Sequence, residues 1–374
     1  MQTIAQKMLV ADRGKLITAL VGVVFSVVLV NVQTGLFLGF ITRAGLLVDR
    51  GEADIWVGHK MMQNVDFPQD IPRRWIQRIR GIPGVAQARP YLIGASKMTL
   101  PSGGYEDVYV VGVDRTTFLG HAWNFSESDP AAILQPHGVI VDKHEAEKLE
   151  FPEIGDMREV AGSRARIVGR TQGVMGFLVL PYVFTTYERA GHYLKKGPEV
   201  CSYYLIQVEK EADVDFVCAQ IRKRIPEVEA YPREAYTRIS IDYWMRRTGL
   251  GISYSAATLL GLIVGLVMVA ETMYAMVLDR LGEFGTLKAI GAKESQIFGV
   301  LVVQATIMAV FGSLIGLAIV WSIVQLFSTP RAPIVIPATV ALGSCGLVFC
   351  ICLVSAWLPY LRIRNIDPMM VLQS

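Results

Sequence analysis

The sequence predicts an α-helical membrane protein with four transmembrane helices and an α+β, two-lobed extracytoplasmic domain between helices 1 and 2. Three observations predict it. Four apolar runs, Leu16–Ile41, Ile252–Leu278, Ile297–Phe327 and Ile334–Pro359, are each long enough to cross a hydrocarbon core of about 30 Å. A long stretch of mixed composition separates the first run from the second. Lys7, Arg13, Lys15, Arg280, Lys288, Lys293, Arg362 and Arg364 gather on one side, whereas the short loop opposite holds only Arg331. Both termini are therefore placed in the cytoplasm and the mixed stretch outside the inner membrane.

Composition agrees. A chain of 374 residues with 52% hydrophobic content and a mean hydropathy of +0.40 is too apolar for an ordinary soluble protein. The net charge of +3, with no basic run interleaved with aromatics, gives no nucleic-acid surface. No G-x-x-x-x-G-K-[ST], H-E-x-x-H or G-x-S-x-G occurs, so no catalytic residue, metal ligand or cofactor-binding residue is predicted on this chain. Cys201 opens an expected strand and Cys218 lies mid-way along an expected helix, at different heights, which favours two free, packed thiols.

Taken in order, residues 1–15 are cytoplasmic and residues 16–48 form helix 1. As one helix, Leu16–Val48 would span about 50 Å, more than the bilayer, so it is expected to continue outward as a stalk. Residues 49–245 are the outer domain. Strands are expected at Ala53–Val57, Val85–Leu100, Asp107–Val113, Gly138–Val141, Arg164–Val168, Ser202–Val208 and Val228–Tyr231. Helices are expected at Pro72–Arg80, Lys143–Leu149 and Val214–Arg224. Ile82-Pro83-Gly84-Val85 and Ile225-Pro226-Glu227-Val228 each follow a basic amphipathic helix and precede a strand, a weak repeat that two βαβ-like halves would explain. Residues 49–117 and 199–235 then make one lobe, with 118–198, rich in Gly and Pro, inserted as a second.

Residues 246–278 carry the rest of the stalk and helix 2, 296–327 helix 3, 328–334 a short outer loop, 335–359 helix 4 and 360–374 a cytoplasmic tail. Between helices 2 and 3, residues 279–295 form a charged hinge. Glu283 and Lys288 stand at the ends of a short helix that the helix dipole favours, and Gly291 follows as a stop. Phe284, Leu287 and Ile290 give that helix an apolar side, which suits either lipid headgroups or a groove in another protein.

Glu271 lies about 10 Å inside the second helix, a depth at which an ionisable group is a functional candidate; it serves as a proton- or substrate-linked group, or as a structural acid facing Gln304 or a partner subunit. Gly35/Gly39, Gly261/Gly265 and Gly312/Gly316 are G-x-x-x-G pairs that let helices approach closely.

The hinge Glu283-Phe284-Gly285-Thr286-Leu287-Lys288-Ala289-Ile290-Gly291-Ala292 resembles the signature of the FtsX-like permeases, the membrane subunits of MacB-type (type VII) ABC transporters. The tail is similar too, with Pro359, Arg362, Arg364, Asp367, Pro368 and Leu372 in the family's spacing. Tyr243-Trp244 and Gly261–Gly265 look most like the DevC-type subunits, which have no fused ATPase; Arg280-Leu281-Gly282 and Glu271 depart from the pattern. The resemblance implies a homodimer beside a separate ABC ATPase that holds ATP and Mg, with Glu283 to Ala292 coupling to it. It implies a MacB-like periplasmic core whose first lobe is porter-like, a periplasmic adaptor, an outer-membrane channel, and export of a lipid, lipoprotein, peptide or drug. The alternative is a transmembrane signalling anchor that switches a periplasmic enzyme.

Overall fold

The computed structural model describes residues 13–279, 282–283, 286, 288, 290–330, 332–357 and 360–361. The chain divides into two compact units, Met1–Gly39 with Ile252–Ser374, and Phe40–Gly251.

The first unit is built on four helices long and apolar enough to cross a membrane: α1 (Arg13–Ile41), α7 (Leu250–Asp279), α8 (Glu294–Phe327) and α9 (Ala338–Ser355). Their shared core is apolar, with Ala19, Val23 and Val27 of α1, Val269 of α7, Leu301, Ala305 and Met308 of α8, and Val348 and Cys352 of α9 buried together. Helix α8 starts at Glu294 rather than at the first apolar residue because Gln296 reaches back to accept the backbone N–H of Lys293 at 3.0 Å. Helix α9 starts at Ala338, not Ile334, because Pro337 holds an extended backbone at its N-cap.

One expectation is corrected. Leu16–Val48 is not a single α-helix. After Ile41 the chain tightens into a 3₁₀ turn, Thr42–Gly45, before the short helix α2 (Leu46–Asp49). The turn lies against the helix α6 (Arg233–Arg247), where a side chain at Gly45 would meet Thr237 Cγ2 at 2.6 Å. Gly249, at φ +74°, separates α6 from α7 in the chain.

The second unit is an α/β domain with eleven strands. β1 (Ile55–His59), β3 (Val85–Thr99), β10 (Tyr203–Val208) and β11 (Val228–Pro232) pair antiparallel in the order β11-β1-β10-β3. Helix α3 (Ile76–Arg80) joins β1 to β3, and α5 (Val214–Arg224) joins β10 to β11, so the region consists of two β-α-β halves. The short repeat is a structural one: Val85 N–H donates to Ile82 O and Val228 N–H to Ile225 O, each at 3.2 Å, and both isoleucines are buried in the same core.

The remaining strands, β4 (Tyr105–Val113), β5 (Gly138–Asp142), β6 (Met157–Val160), β7 (Ser163–Thr171) and β8 (Tyr182–Thr186), the last followed by helix α4 (Tyr187–Tyr193), lie in the order β4-β8-β5-β7-β6. β6 returns to pair with the end of β3, Met98 opposite Val160. β2 (Ile71–Pro72) and β9 (Val200–Cys201) make a separate small pair. β3 is the joint: residues up to Tyr91 pair with β10 and residues from Leu92 onward with β4. Strand pairing therefore groups residues 92–113 with the inserted strands, whereas the sequence reading set the lobe boundary at 117/118.

Alternation along the strands buries both faces. Ile55 and Val57 point to the core under α3 and α5, while Trp56 points to an aromatic core with Tyr91, Tyr203 and Tyr236. The expected helix Lys143–Leu149 is instead a 3₁₀ turn, Lys143–Glu145, followed by further turns. Asp142 fixes it, accepting from His144 N at 2.8 Å, Thr171 Oγ1 at 2.9 Å and Val174 N at 2.7 Å.

Candidate functional site

The hinge between α7 and α8 contains the described residues Gly282, Glu283, Thr286 and Lys288, all helical. Thr286 Oγ1 donates back to Gly282 O at 2.8 Å, Ile290 N–H to Thr286 O at 3.0 Å and Gly291 N–H to Lys288 O at 3.1 Å. Gly291 then takes φ +97°, the left-handed conformation that ends helices and that side chains resist. Glu283 is exposed, Lys288 is half-buried and Ile290 is 80% exposed. Ala292 follows half-buried against the core of the first unit. Phe284, Gly285, Leu287 and Ala289 lie outside the described residues, as do Arg362, Arg364, Asp367 and Pro368 of the tail. On the far side of the hinge, Phe298 of α8 packs on Tyr360 with ring centroids 5.0 Å apart and on Trp357 at 6.0 Å.

The six glycines all occupy close approaches. A side chain at Gly35 would meet Ile334 and Ile336 at 2.8 and 2.7 Å, and one at Gly39 would strike the carbonyl of Pro333. Val335 N–H donates to the Gly35 carbonyl at 3.0 Å across this contact. Gly261 and Gly265 of α7 face Leu29 and Ser26 of α1, and Gly312 and Gly316 of α8 face Val23 and Val27 of α1. Helix α1 thus receives glycine faces from two other helices. Asn31, fully buried, adds a polar tie: its Nδ2 donates to Ser344 Oγ of α9 at 2.7 Å and to Val27 O at 2.8 Å. An asparagine inside an apolar run was the available signal for that bond.

Glu271 is exposed on α7, with no hydrogen bond or ion pair among the described residues, while Gln304 is buried on α8.

In the second unit the turn Asn64–Asp66 is gripped from three elements. Tyr203 OH donates to Asn64 O at 3.1 Å, Tyr109 OH donates to Asp66 O, and Trp244 Nε1 of α6 donates to Asp66 Oδ2 at 3.2 Å. Burial pushes the Asp66 carboxyl up to about 7, against the Trp244 hydrogen bond, which favours the ionised form. Sequence reasoning singled out Trp244 but not its partner. Cys201 and Cys218 are free and buried, and burial pushes each thiol up to about 12. No group of three or more His, Cys, Asp or Glu side chains suited to a metal ion occurs among the described residues.

Among the described residues, four helices long and apolar enough to cross a membrane, with an α/β domain inserted after the first and a hinge after the second, define a multi-pass membrane protein. A MacB-like periplasmic core domain model matches residues 16–224 and an FtsX-like permease C-terminal model matches residues 255–368. The chain belongs to the family of FtsX-like permeases with a MacB-like periplasmic core domain.

It is similar to two uncharacterised ABC transporter permeases of Mycobacterium tuberculosis strain H37Rv. One is 24% identical over 316 residues, covering 82% of this chain and 80% of the relative; the other is 24% identical over 372 residues, covering 95% of each. The macrolide export ATP-binding/permease protein MacB of Azoarcus sp. is 29% identical over 131 residues, 33% of this chain and 19% of that one. The periplasmic region of MacB from Actinobacillus actinomycetemcomitans aligns over 50% of this chain and 92% of its own, with 7% identity and a TM-score of 0.39.

Proposed function

We propose that this chain is the permease subunit of an ABC exporter in the inner membrane, with both termini cytoplasmic and the α/β domain outside. It works as a homodimer beside a separate ATPase subunit that holds ATP and Mg. The observation that carries the reading is the hinge: a short helix closed by Gly291 that leaves Ile290 in the open, between the two helices α7 and α8. Glu283, Phe284, Gly285, Leu287, Lys288, Ala289, Ile290, Gly291 and Ala292 seat in a cleft of the ATPase. ATP-driven closure pushes the hinge, and α7 passes the displacement to α6, its direct neighbour in the chain, which Trp244 and Asp66 bind to the domain core. The domain then drives a lipid, lipoprotein, peptide or drug-like substrate outward with an adaptor and an outer-membrane channel.

The test is ATPase stimulation in membranes that hold the chain and its ATPase. Glu283→Lys, which reverses an exposed charge, and Gly291→Pro, which removes the Gly291 N–H bond to Lys288, are expected to lower stimulation at least tenfold with insertion unchanged. Normal stimulation in both variants defeats the reading. Co-purification of a cell-wall hydrolase in place of an adaptor favours a signalling anchor.

A further inference from the structure

A cleft of about 890 Å³ opens in the α/β domain, walled by the β2–α3 segment on one side and by β9 and the start of β3 on the other. That size matches sites for small ligands. Four arginines line it, Arg73, Arg74, Arg80 and Arg89, against three acids, Asp70, Asp114 and Glu199. Two of the acids are already satisfied. Asp70 pairs with Lys196, and Asp114 accepts from Thr116 N at 3.0 Å, Thr117 N at 3.2 Å, Thr117 Oγ1 at 3.3 Å and Thr116 Oγ1. Burial raises the Asp114 carboxyl, but these donors and Arg89 outweigh it and hold it below its ordinary value, so it stays ionised and committed to the threonines.

The arginines are less well served. Arg89 lies 3.7 Å from Asp114 Oδ2 through Nε, and that buried Nε has no hydrogen-bond acceptor. Arg74 is exposed at the cleft with no partner for its guanidinium among the described residues. Arg80 spends Nε and Nη2 on the single carbonyl of Ala88, at 3.3 and 3.1 Å, and Arg73 lies over the Tyr187 ring at 4.7 Å. A guanidinium with a buried nitrogen that lacks an acceptor is incompletely satisfied, and an anion meeting its exposed edge adds charge-assisted partners.

We propose that this cleft binds a phosphate group, held between Arg74 on the α3 side and Arg89 on β3, with the free edge of Arg80 beside it. Phosphate suits the arrangement better than carboxylate because its tetrahedral oxygens accept forked donors arriving from two walls. Pro72, Ile76, Pro90 and Val200 are among the other lining residues and give an attached chain an apolar surface. The group is carried either by a phospholipid or by inorganic phosphate. The site does not depend on the transport reading, because its occupancy is measured without an ATPase.

Titration calorimetry of the full chain in phosphatidylcholine nanodiscs, with sodium phosphate and separately with dihexanoylphosphatidic acid, tests it. Saturable binding is expected, weakened at least tenfold by Arg74→Glu and by Arg89→Gln and unchanged by Lys97→Glu, which alters a different groove of the domain. Tighter binding of the lipid analogue assigns the site to a headgroup; equal binding assigns it to phosphate itself. Absence of saturable binding of either probe, or full binding by the exposed-site variant Arg74→Glu, overturns the proposal.

Discussion

Trp244 Nε1 donates a hydrogen bond of 3.2 Å to Asp66 Oδ2 across 178 positions of sequence, inside a nest of aromatic rings that includes Phe177 at 4.2 Å from the indole. The carboxyl therefore sits where ionisation is costly, and its pKa of about 7 in the fold compares with 3.8 as the ordinary value. Between those values the folded domain binds the proton that the unfolded chain releases. Stability from this group is complete below about pH 4 and is lost as pH rises through about 7, at roughly 1.4 kcal/mol per unit. Asp66→Asn keeps an acceptor for Trp244 and cannot ionise. The difference in melting temperature between the variant and the wild-type chain should grow in the variant's favour from pH 5 to pH 8. A pH-independent difference contradicts this.

The glycine contacts divide into those that tolerate a methyl group and those that do not. Gly39→Ala drives Cβ into the backbone carbonyl of Pro333, and Gly312→Ala meets Val23 Cγ1 at 2.5 Å, whereas Gly343 and Gly346 have nothing within 4 Å. Overpacking of this kind costs about 1–3 kcal/mol. Gly39→Ala and Gly312→Ala should lower the detergent melting temperature by several degrees, with Gly343→Ala close to wild type.

Asn31 and Ser344 tie α1 to α9, both of them buried. Ser344→Ala leaves the Asn31 amide with only the Val27 carbonyl, and a loss of about 0.5–2 kcal/mol is expected, in the range of hydrogen bonds between membrane helices. Asn31→Ala combined with Ser344→Ala should cost no more than the larger single change. A double-mutant cycle on urea or SDS unfolding reads the coupling directly.

Cys201 and Cys218 combine burial with pKa values near 12, so almost no thiolate is present at neutral pH. Mass spectrometry after iodoacetamide at pH 8 should find both unmodified in the folded chain and both modified in urea. Labelling of either at the rate of a small-molecule thiol would contradict the packing.

The four spans were legible because an apolar run of such length has few soluble uses, and the hinge because charges between two such runs need water. Within the α/β domain β3, β4 and α5 lie close to their expected places, because runs rich in Val, Tyr and Ile mark the two strands and a helical period marks α5. Helix α6 was missed although Glu234 begins it and Arg246 and Arg247 end it, because its polar exposed face hides the few core residues, Tyr236, Ser240 and Trp244. Strand β8 was missed because YVFTT is buried throughout and shows no alternation. The Asp66–Trp244 bond and the arginine cleft join segments far apart in the chain, and no local spacing encodes such meetings.

β3 has a mechanical meaning that its length alone does not convey. A tug on the β10 side and a tug on the β4 side reach the same backbone, one through residues up to Tyr91 and the other from Leu92 onward. To part β3 from β4, a load along this strand must shear the eight paired positions Leu92–Thr99 nearly at once, whereas a load that peels β6 from β3 meets two, at Met98 and Thr99. Force spectroscopy should accordingly record one high rupture for β3 and a low, separate one for the β6 edge, so the domain is stiff along the strand that unites it and compliant at its rim.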